Sequence, residues 1–518
     1  MDTTTVYNKV EDWYRLYAAQ HLEKDQLKKI GSAVAITWIT YKVTSKLYDA
    51  YWGPLRDIPG PFLGKFFAIP KVFFDNPRGA SYRRMKALHD KYGTIIKLSP
   101  DTIAISDKDW IKEILVKDDL PKGPTYSALQ SDDGKQTLFN TRDKVFHKQR
   151  RRTVSPAFAM KYLNSLELFM DSCTEAFIHR INKDIESNKD GLDGYGTVDI
   201  WSLLGCLALD VIGSTAFGES FNMVETNDHF VPIAITKGMR FAPKLILYPF
   251  LGTLVRVFGL NRSPEFDKFM VDLITKRLTS DQRRDDILQI LIDTQKASHQ
   301  EERLTVDAII AEVVLFLVAG SETTSNTTSF AIIELLRQPD KLEKLRAEID
   351  AVPLENGSVL HTHDQLKHLP YLNAVLNETM RLNPIASNGL QRITDTDITL
   401  SGRVFIPKNT VVVCSLNHAQ KNPDYWPNPL QFLPERWLDD AEVPPCLDAF
   451  YPFSAGSRNC IGKQFALQEM RITLATLVKR YDFKAIPEEL EAAKDLRQFI
   501  TLTVERNSFK VLMKERKV

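Results

Sequence analysis

Residues 453–462 read Phe-Ser-Ala-Gly-Ser-Arg-Asn-Cys-Ile-Gly, a cysteine bracketed by Gly456 and Gly462 with Arg458 two positions before it. Glycine on both sides permits tight turning and lets a flat ligand approach the backbone. Backbone N–H groups around such a turn can point at the Cys460 sulfur and hold it as a thiolate. Arg458 can pair with an anionic group on the same ligand. A thiolate on haem iron donates electron density that favours O–O cleavage. Two plainer readings are weaker. An isolated cysteine is usually a small buried hydrophobe, which suits Cys173, Cys206, Cys414 and Cys446 better than this glycine-rich setting. A phosphate loop fails because five residues separate Gly456 from Gly462 and Gln464 stands where a hydroxyl is required.

Further constellations lie upstream. Ala319-Gly320-Ser321-Glu322-Thr323-Thr324 interrupts a long apolar helical run. A glycine inside a helix costs about 1 kcal/mol, and the neighbouring hydroxyls compete for backbone groups. Such a helix either opens locally for a small ligand such as dioxygen or uses small residues for close packing. Glu378-Thr-Met-Arg381 is an ion pair at a common helical spacing, shared with Glu334/Arg337 and Glu343/Arg346, but it leads into Leu382-Asn-Pro384. Residues 142–152 carry Arg142, Lys144, Lys148, Arg150, Arg151 and Arg152 against Asp143 alone.

Taken in order, these motifs resemble those of the cytochrome P450 family of haem-thiolate monooxygenases, in its membrane-bound eukaryotic, fungal form. Phe453, Gly456, Arg458, Cys460 and Gly462 match the family's Phe-x-x-Gly-x-Arg-x-Cys-x-Gly loop. Glu378 and Arg381 match its Glu-x-x-Arg, and 319–324 its Ala/Gly-Gly-x-Asp/Glu-Thr-Thr. Residues 434–437 resemble its Pro-Glu-Arg-Phe element, with Trp437 in place of phenylalanine. The resemblance implies haem b (iron protoporphyrin IX) ligated by Cys460, with propionates held by Arg458, Arg151 and His147. The last stands where the family usually has tryptophan. It also implies that Ala319 and Gly320 border the cofactor, that Thr323 hydrogen-bonds the activated oxygen, and that Glu322 passes protons through water. Glu378, Arg381 and Arg436 would form a buried structural triad, costly to break. Other charges of 142–152 would make a patch for an acidic redox partner. By family position the substrate pocket draws on Tyr126, Phe241, Phe316, Ile385, Ala386 and Ile500.

The elements that must position these residues are mostly helical in period. A helix over 305–338 is about 50 Å long, and another runs through 201–217. Strands are expected at 94–98 and 102–106, joined by Ser99-Pro100-Asp101, and again at 393–400, 411–414, 499–504 and 509–512. A polar loop covers 183–196, and the apolar stretch 232–260 is either core or membrane-touching surface. With 518 residues, 43% hydrophobic and 26% charged, the chain can bury a large core. Its 67 basic and 66 acidic residues nearly cancel, so no overall charge recruits nucleic acid. Five scattered cysteines without a CxxC pair argue against a disulfide framework or a structural zinc cage.

No internal repeat or second linker divides the body. The expected fold is therefore mainly α with small β-sheets (α+β), one catalytic domain over 63–518. Residues 1–52 precede it as an N-terminal amphipathic helix, with Val6, Val10, Trp13 and Tyr17 on one face, and a short membrane anchor. The uncharged run 30–41 is too short to cross about 30 Å of hydrocarbon, although Lys42 and Lys46 could snorkel and extend it. Residues 53–62 form a Pro/Gly-rich hinge.

The resemblance implies insertion of one oxygen atom from O2 into a lipophilic small molecule, steroid, terpenoid or fatty-acid-like, as in hydroxylations of secondary metabolism. The chain has no G-x-G-x-x-G fingerprint and no flavin segment. Electrons are therefore expected from a separate protein, which the resemblance implies is an NADPH-cytochrome reductase carrying FAD and FMN, with cytochrome b5 as a further donor, at the endoplasmic reticulum membrane facing the cytosol. A haem-thiolate isomerase or dehydratase that needs no reductase, and a non-catalytic haem-binding sensor, are the rival readings. A serine hydrolase is set aside because no G-x-S-x-G occurs.

Overall fold

The computed structural model describes the chain apart from residues 1–10, 13–23, 68–78, 128–135, 190–192, 219, 227–229, 248–263, 281–282, 285, 298–299, 301–302, 356–357 and 518. The amphipathic face expected through Val6, Val10, Trp13 and Tyr17 lies outside the described residues. Helix α1 (Lys24–Tyr51) is longer than the expected run and holds 30–41 in its middle. Its Ile30, Val34, Ile36, Trp38 and Ile39 are exposed. The hinge then docks on the body, where Leu55 and Ile58 are buried and the Pro59 carbonyl accepts the Lys97 N–H at 2.7 Å.

After α2 (Ser81–Tyr92), strands β1 (Ile95–Ser99) and β2 (Thr102–Ile105) form the expected hairpin, Ile96 opposite Ala104. Helix α3 (Lys144–Val154) starts at Asp143, whose carboxylate accepts the Val145 and Phe146 N–H groups. That side-chain cap compensates for the missing intrahelical partners. Helix α4 (Glu167–Ser187) and β3 (Gly196–Asp199) shorten the expected polar loop 183–196 from both ends. Helix α5 (Ile200–Ile212) continues as a π-helical turn, Gly213–Phe217. Helix α6 (Phe230–Leu247) occupies the first part of the apolar stretch, and α7 (Pro264–Leu278) follows.

The long helix α8 (Val306–Arg337) is capped by Thr305, whose hydroxyl accepts the Ala308 N–H, and α9 (Pro339–Asp350) begins at the proline that ends it. Its 32 residues span about 48 Å at 1.5 Å each, so one helix crosses the molecule and packs on its central elements. Helix α10 (Pro370–Leu382) carries the Glu378/Arg381 pair.

The single strand expected over 393–400 is two strands: β4 (Leu390–Ile393) and β5 (Ile398–Leu400). Between them the Thr394 hydroxyl donates to the Pro407 carbonyl, turning the chain from one sheet to another. Strand β5 pairs with β6 (Val404–Ile406), and β7 (Val411–Cys414) completes the main sheet in the order β1-β2-β7-β4. Only the β2–β7 pairing there is parallel, Thr102 opposite Val411. Helix α11 (Lys463–Arg480) follows the cysteine loop and packs on α8.

Strand β8 (Tyr481–Lys484) comes next, then β9 (Leu496–Gln498), β10 (Leu502–Val504) and β11 (Lys510–Glu515). The strand expected at 499–504 is thus shorter and pairs with β9, which local patterning does not show. Strand β11 pairs with both β3 and β8. The main core gathers α4, α5, α8, α10 and α11 around residues such as Phe177, Leu317, Phe330 and Leu474.

Candidate functional site

The cysteine loop is held where only one glycine is sterically required. Gly456 has φ +70°, and a Cβ there would lie 1.8 Å from the Leu115 carbonyl oxygen. Gly462 is not required by its backbone conformation. It stands at the N-terminus of α11 with φ −84°, and its Cβ would meet nothing nearer than the Phe158 ring at 3.9 Å. It therefore leaves open space beside the cysteine, in the 461–462 turn that leads into α11. The Cys460 N–H donates to the Phe453 carbonyl at 2.9 Å. Cys460 is accessible although protein surrounds it, as for a side chain at the bottom of a recess. Burial pushes its thiol pKa up, while the Gly462 N–H, Arg151, Lys122 and Lys463 pull it down. Cys173, Cys206 and Cys414 are buried, with thiols pushed by burial to about 12, 11 and 12, and are inert.

Basic groups converge beside this recess. Arg458 donates to the Thr141 carbonyl at 2.9 Å and the Asp143 carbonyl at 3.2 Å. Arg151, one turn beyond buried His147 on α3, donates to the Asn459 carbonyl at 2.8 Å and ties the helix to the cysteine loop. Lys122 and Arg392, which the sequence motifs did not flag, complete the group. Lys122 donates to the Phe139 carbonyl at 2.6 Å, and Arg392 is 2% exposed.

Three of these groups feel the neighbouring charges. Burial and then Arg392 lower the Arg458 pKa to about 10. Burial, Arg458, Lys122 and Arg151 lower His147 to about 3. Burial, Arg392 and Arg458 hold Lys122 well below the usual lysine range. Like charges crowded in a desolvated setting are unfavourable unless anions join them. The two propionates of a haem whose iron meets Cys460 would be such anions, so the residues present fit that group. Lys122 and Arg392 lacked a motif, but an arginine inside the otherwise uncharged strand Leu390–Ile393 was a usable signal.

Tyr126, expected in the substrate pocket, stands beside this cluster. Its ring meets Phe139 edge-on at 5.3 Å, lies under Lys122, and its hydroxyl bonds Arg392. The reason is local: the short helical turn Pro124–Ser127, which follows Gly123, carries it back towards β4.

The middle of α8 is a continuous helix in this structure. Several of its hydroxyls turn back on the helix: Ser321 donates to Leu317, Thr323 to Ala319 and Thr327 to Thr323, each at 2.8 Å to the carbonyl. Gly320 has a packing reason, since a Cβ there would stand 3.2 Å from Ile212 on α5. Ala319 is exposed although Leu317 and Ser321 beside it are buried, so one face of this buried helix meets open space. Thr323 spends its proton on Ala319 and keeps lone pairs to accept with. The Glu322 carboxylate accepts the Thr501 hydroxyl at 2.8 Å; burial raises its pKa while Thr501 and Arg240 oppose the rise.

Phe316 packs edge-on against Phe158 at 5.4 Å. Ile385 accepts the Leu502 N–H at 3.0 Å, Ala386 accepts the Gly389 N–H at 2.8 Å, and Ile500 accepts from Gln498 at 3.3 Å. Ile385 and the hairpin near Ile500 therefore come together. The Phe241 side chain lies outside the described residues.

Glu378, Arg381 and Arg436 meet in the core. The Glu378 carboxylate is fully buried and accepts five hydrogen bonds: from Arg381 Nε and Nη2 at 2.8 Å, Leu433 N–H at 2.9 Å, Arg436 Nε at 3.0 Å and Trp437 Nε1 at 2.9 Å. The tryptophan that departs from the resembled motif thus supplies a donor that phenylalanine lacks. Arg381 also donates to the carbonyls of Gln420, Pro429 and Gln431.

Comparisons with known proteins place the chain in a family. The family model described as "Cytochrome P450" matches residues 54–513. The chain is 34% identical over 473 residues to the cytochrome P450 monooxygenase LUC2 of Fusarium sp, covering 90% of each chain. It is 33% identical over 500 residues to the cytochrome P450 monooxygenase FUS8 of Gibberella moniliformis, covering 94% of each. It is 30% identical over 478 residues to cytochrome P450 3A29 of Sus scrofa, covering 87% of this chain and 92% of that one.

Proposed function

The chain belongs to the cytochrome P450 family, whose members are haem-dependent monooxygenases, and from that premise we propose that it inserts one oxygen atom of O2 into a lipophilic small molecule. The electrons come from NADPH through a separate FAD- and FMN-containing reductase, with cytochrome b5 as a further donor. The observation that carries this reading is the accessible Cys460 thiol beside Lys122, His147, Arg151, Arg392 and Arg458.

Bound haem supplies the oxygen-activating chemistry, with Cys460 as the thiolate that donates electron density to it. The chain's own groups then divide the remaining work. The five basic groups bind and orient the two propionates. Thr323 can accept a hydrogen bond at the exposed face of α8. Glu322 holds a proton more readily than an ordinary carboxyl, because burial favours its neutral form, and can release it towards that face after leaving Thr501. Phe316, Ile385, Ala386 and Ile500 contribute apolar surface, which favours a steroid, terpenoid or fatty-acid-like substrate.

A groove of about 500 Å³ lined by Lys144, Lys148, Arg151, Arg152 and the 456–459 turn supports docking of an acidic electron donor close to the cysteine. The exposed apolar side chains of α1 support an anchor in the endoplasmic reticulum membrane, with the body in the cytosol. Among the described residues only Ile200–Phe217 is long and apolar enough to cross a membrane, and it is 89% buried as a core helix.

Cys460→Ser tests the reading. The wild-type protein should show the red-shifted band of the reduced carbon-monoxide complex, and the variant should lack it; a retained band would mean another ligand. The Glu322–Thr323 pair favours oxygen insertion over a reductase-free isomerase or dehydratase, and over a sensor. Substrate-dependent NADPH consumption with purified reductase separates these readings.

A further inference from the structure

Glu312 takes no part in the chemistry above, yet it is a fully buried carboxyl on α8, about two turns before Ala319. One oxygen accepts the Leu138 N–H at 2.9 Å and stands 3.6 Å from Arg150 Nε on α3. The other oxygen, and Arg150 Nη1, are buried without a hydrogen-bond partner among the described residues. A buried carboxyl satisfied this sparingly is expensive. Its neighbours indicate what it holds.

Leu138 lies in a short strap, 136–141, that is internally braced. The Thr137 N–H donates to Asn140 at 2.8 Å, and the Thr141 hydroxyl donates to Gln136 at 2.8 Å. Two carbonyls of the same strap take the basic groups of the cofactor site: Phe139 accepts from Lys122 at 2.6 Å and Thr141 accepts from Arg458 at 2.9 Å. The strap is thus fastened to α8 at Leu138 and to two cations at its far side. Arg458 is also on the cysteine loop, so displacement of the strap moves donors that flank Cys460.

We propose that Glu312 is a positioning residue for the cofactor pocket: by holding the Leu138 N–H it fixes the strap whose carbonyls aim Lys122 and Arg458 at the haem propionates. The inference rests on reading the basic cluster as the propionate site. The acting feature is the hydrogen-bond acceptor at position 312, which glutamine retains and alanine removes. An aspartate side chain at this position would set the acceptor back by one methylene.

The test uses ferric holoenzyme and two measurements: haem transfer to excess apomyoglobin, and amide hydrogen exchange of the 136–141 segment followed by mass spectrometry. Glu312→Ala should deprotect the segment and raise the haem-loss rate about tenfold, the low end for residues acting through direct ligand contacts. Glu312→Gln should retain both properties of the wild type, a rescue that a loss of charge would not produce. Glu312→Asp should fall between them. If the alanine variant does not fold, the comparison of aspartate with glutamine carries the test, and equal haem loss in those two overturns the proposal. So does deprotection of the segment in Glu312→Ala with haem loss unchanged, or glutamine losing haem as fast as alanine. A wild-type protein that takes up no haem would instead overturn the cofactor reading itself.

Discussion

Trp437→Phe removes one hydrogen bond from a buried carboxylate while keeping an aromatic ring in place. The Trp437 ring lies 4.6 Å from that of Phe450 and 5.7 Å from that of Trp426, contacts that a phenylalanine largely preserves. What is lost is the Nε1–H donor to Glu378 Oε2 at 2.9 Å. A hydrogen bond to a charged group contributes about 1.5–3 kcal/mol. Oε2 still accepts Arg381 Nε at 2.8 Å, so neither oxygen is orphaned. The low end, about 1.5 kcal/mol, therefore applies.

Glu378→Gln is harsher, because an amide turns N–H groups towards guanidinium donors and leaves Arg381 and Arg436 without their anion, at about 3–5 kcal/mol. Denaturant titration of the holoenzyme, for both single variants and the double variant, closes a cycle. If Trp437 acts through the carboxylate, its cost should shrink by about 1 kcal/mol in the Glu378→Gln background. Additivity within about 0.3 kcal/mol would refute that, and would place the effect in ring area alone.

Other outcomes follow from the same geometry. Gly456→Ala should abolish haem-loaded protein, since its Cβ would overlap the Leu115 carbonyl at a φ of +70°; a normal carbon-monoxide spectrum would overturn this. Lys122→Met keeps the stem but removes a charge proposed to face a haem propionate, and should accelerate haem loss to apomyoglobin about tenfold, with an unchanged rate counting against the propionate assignment. Glu312 gives a pH dependence. Burial raises its pKa to about 7 against the opposing pull of Arg150, and the unfolded value is 4.5. The folded value being the higher one, its stabilising contribution is complete below the unfolded pKa and disappears as pH rises through 7. Between pH 5 and 8 the wild type should lose up to about 3 kcal/mol from this group. Glu312→Gln should lack that loss, and parallel unfolding midpoints across the range would contradict it.

Some of this architecture could be read from short stretches of chain. The 453–462 loop, the Glu378/Arg381 pair and the 32-residue α8 each announce themselves within one stretch, because helical period, a cap such as Thr305 and a proline stop are local physics. The hairpin of β1 and β2 was legible for the same reason, its turn residues lying between the two strands. Strand β9 was not, since three residues take their identity from pairing with β10.

The rest depended on residues distant in sequence meeting in space. Lys122 and Arg392 have ordinary neighbours and join the basic cluster near Cys460 only when the strap, β4 and the cysteine loop converge. Gly320 looked like a place for a helix to open, and packing against Ile212 supplies a different reason for its size. Trp437 looked like a deviation until its indole met Glu378. Local spacing sets which groups a segment can present. Whether a charge is desolvated, a donor satisfied or a methyl tolerated depends on what the fold brings against it.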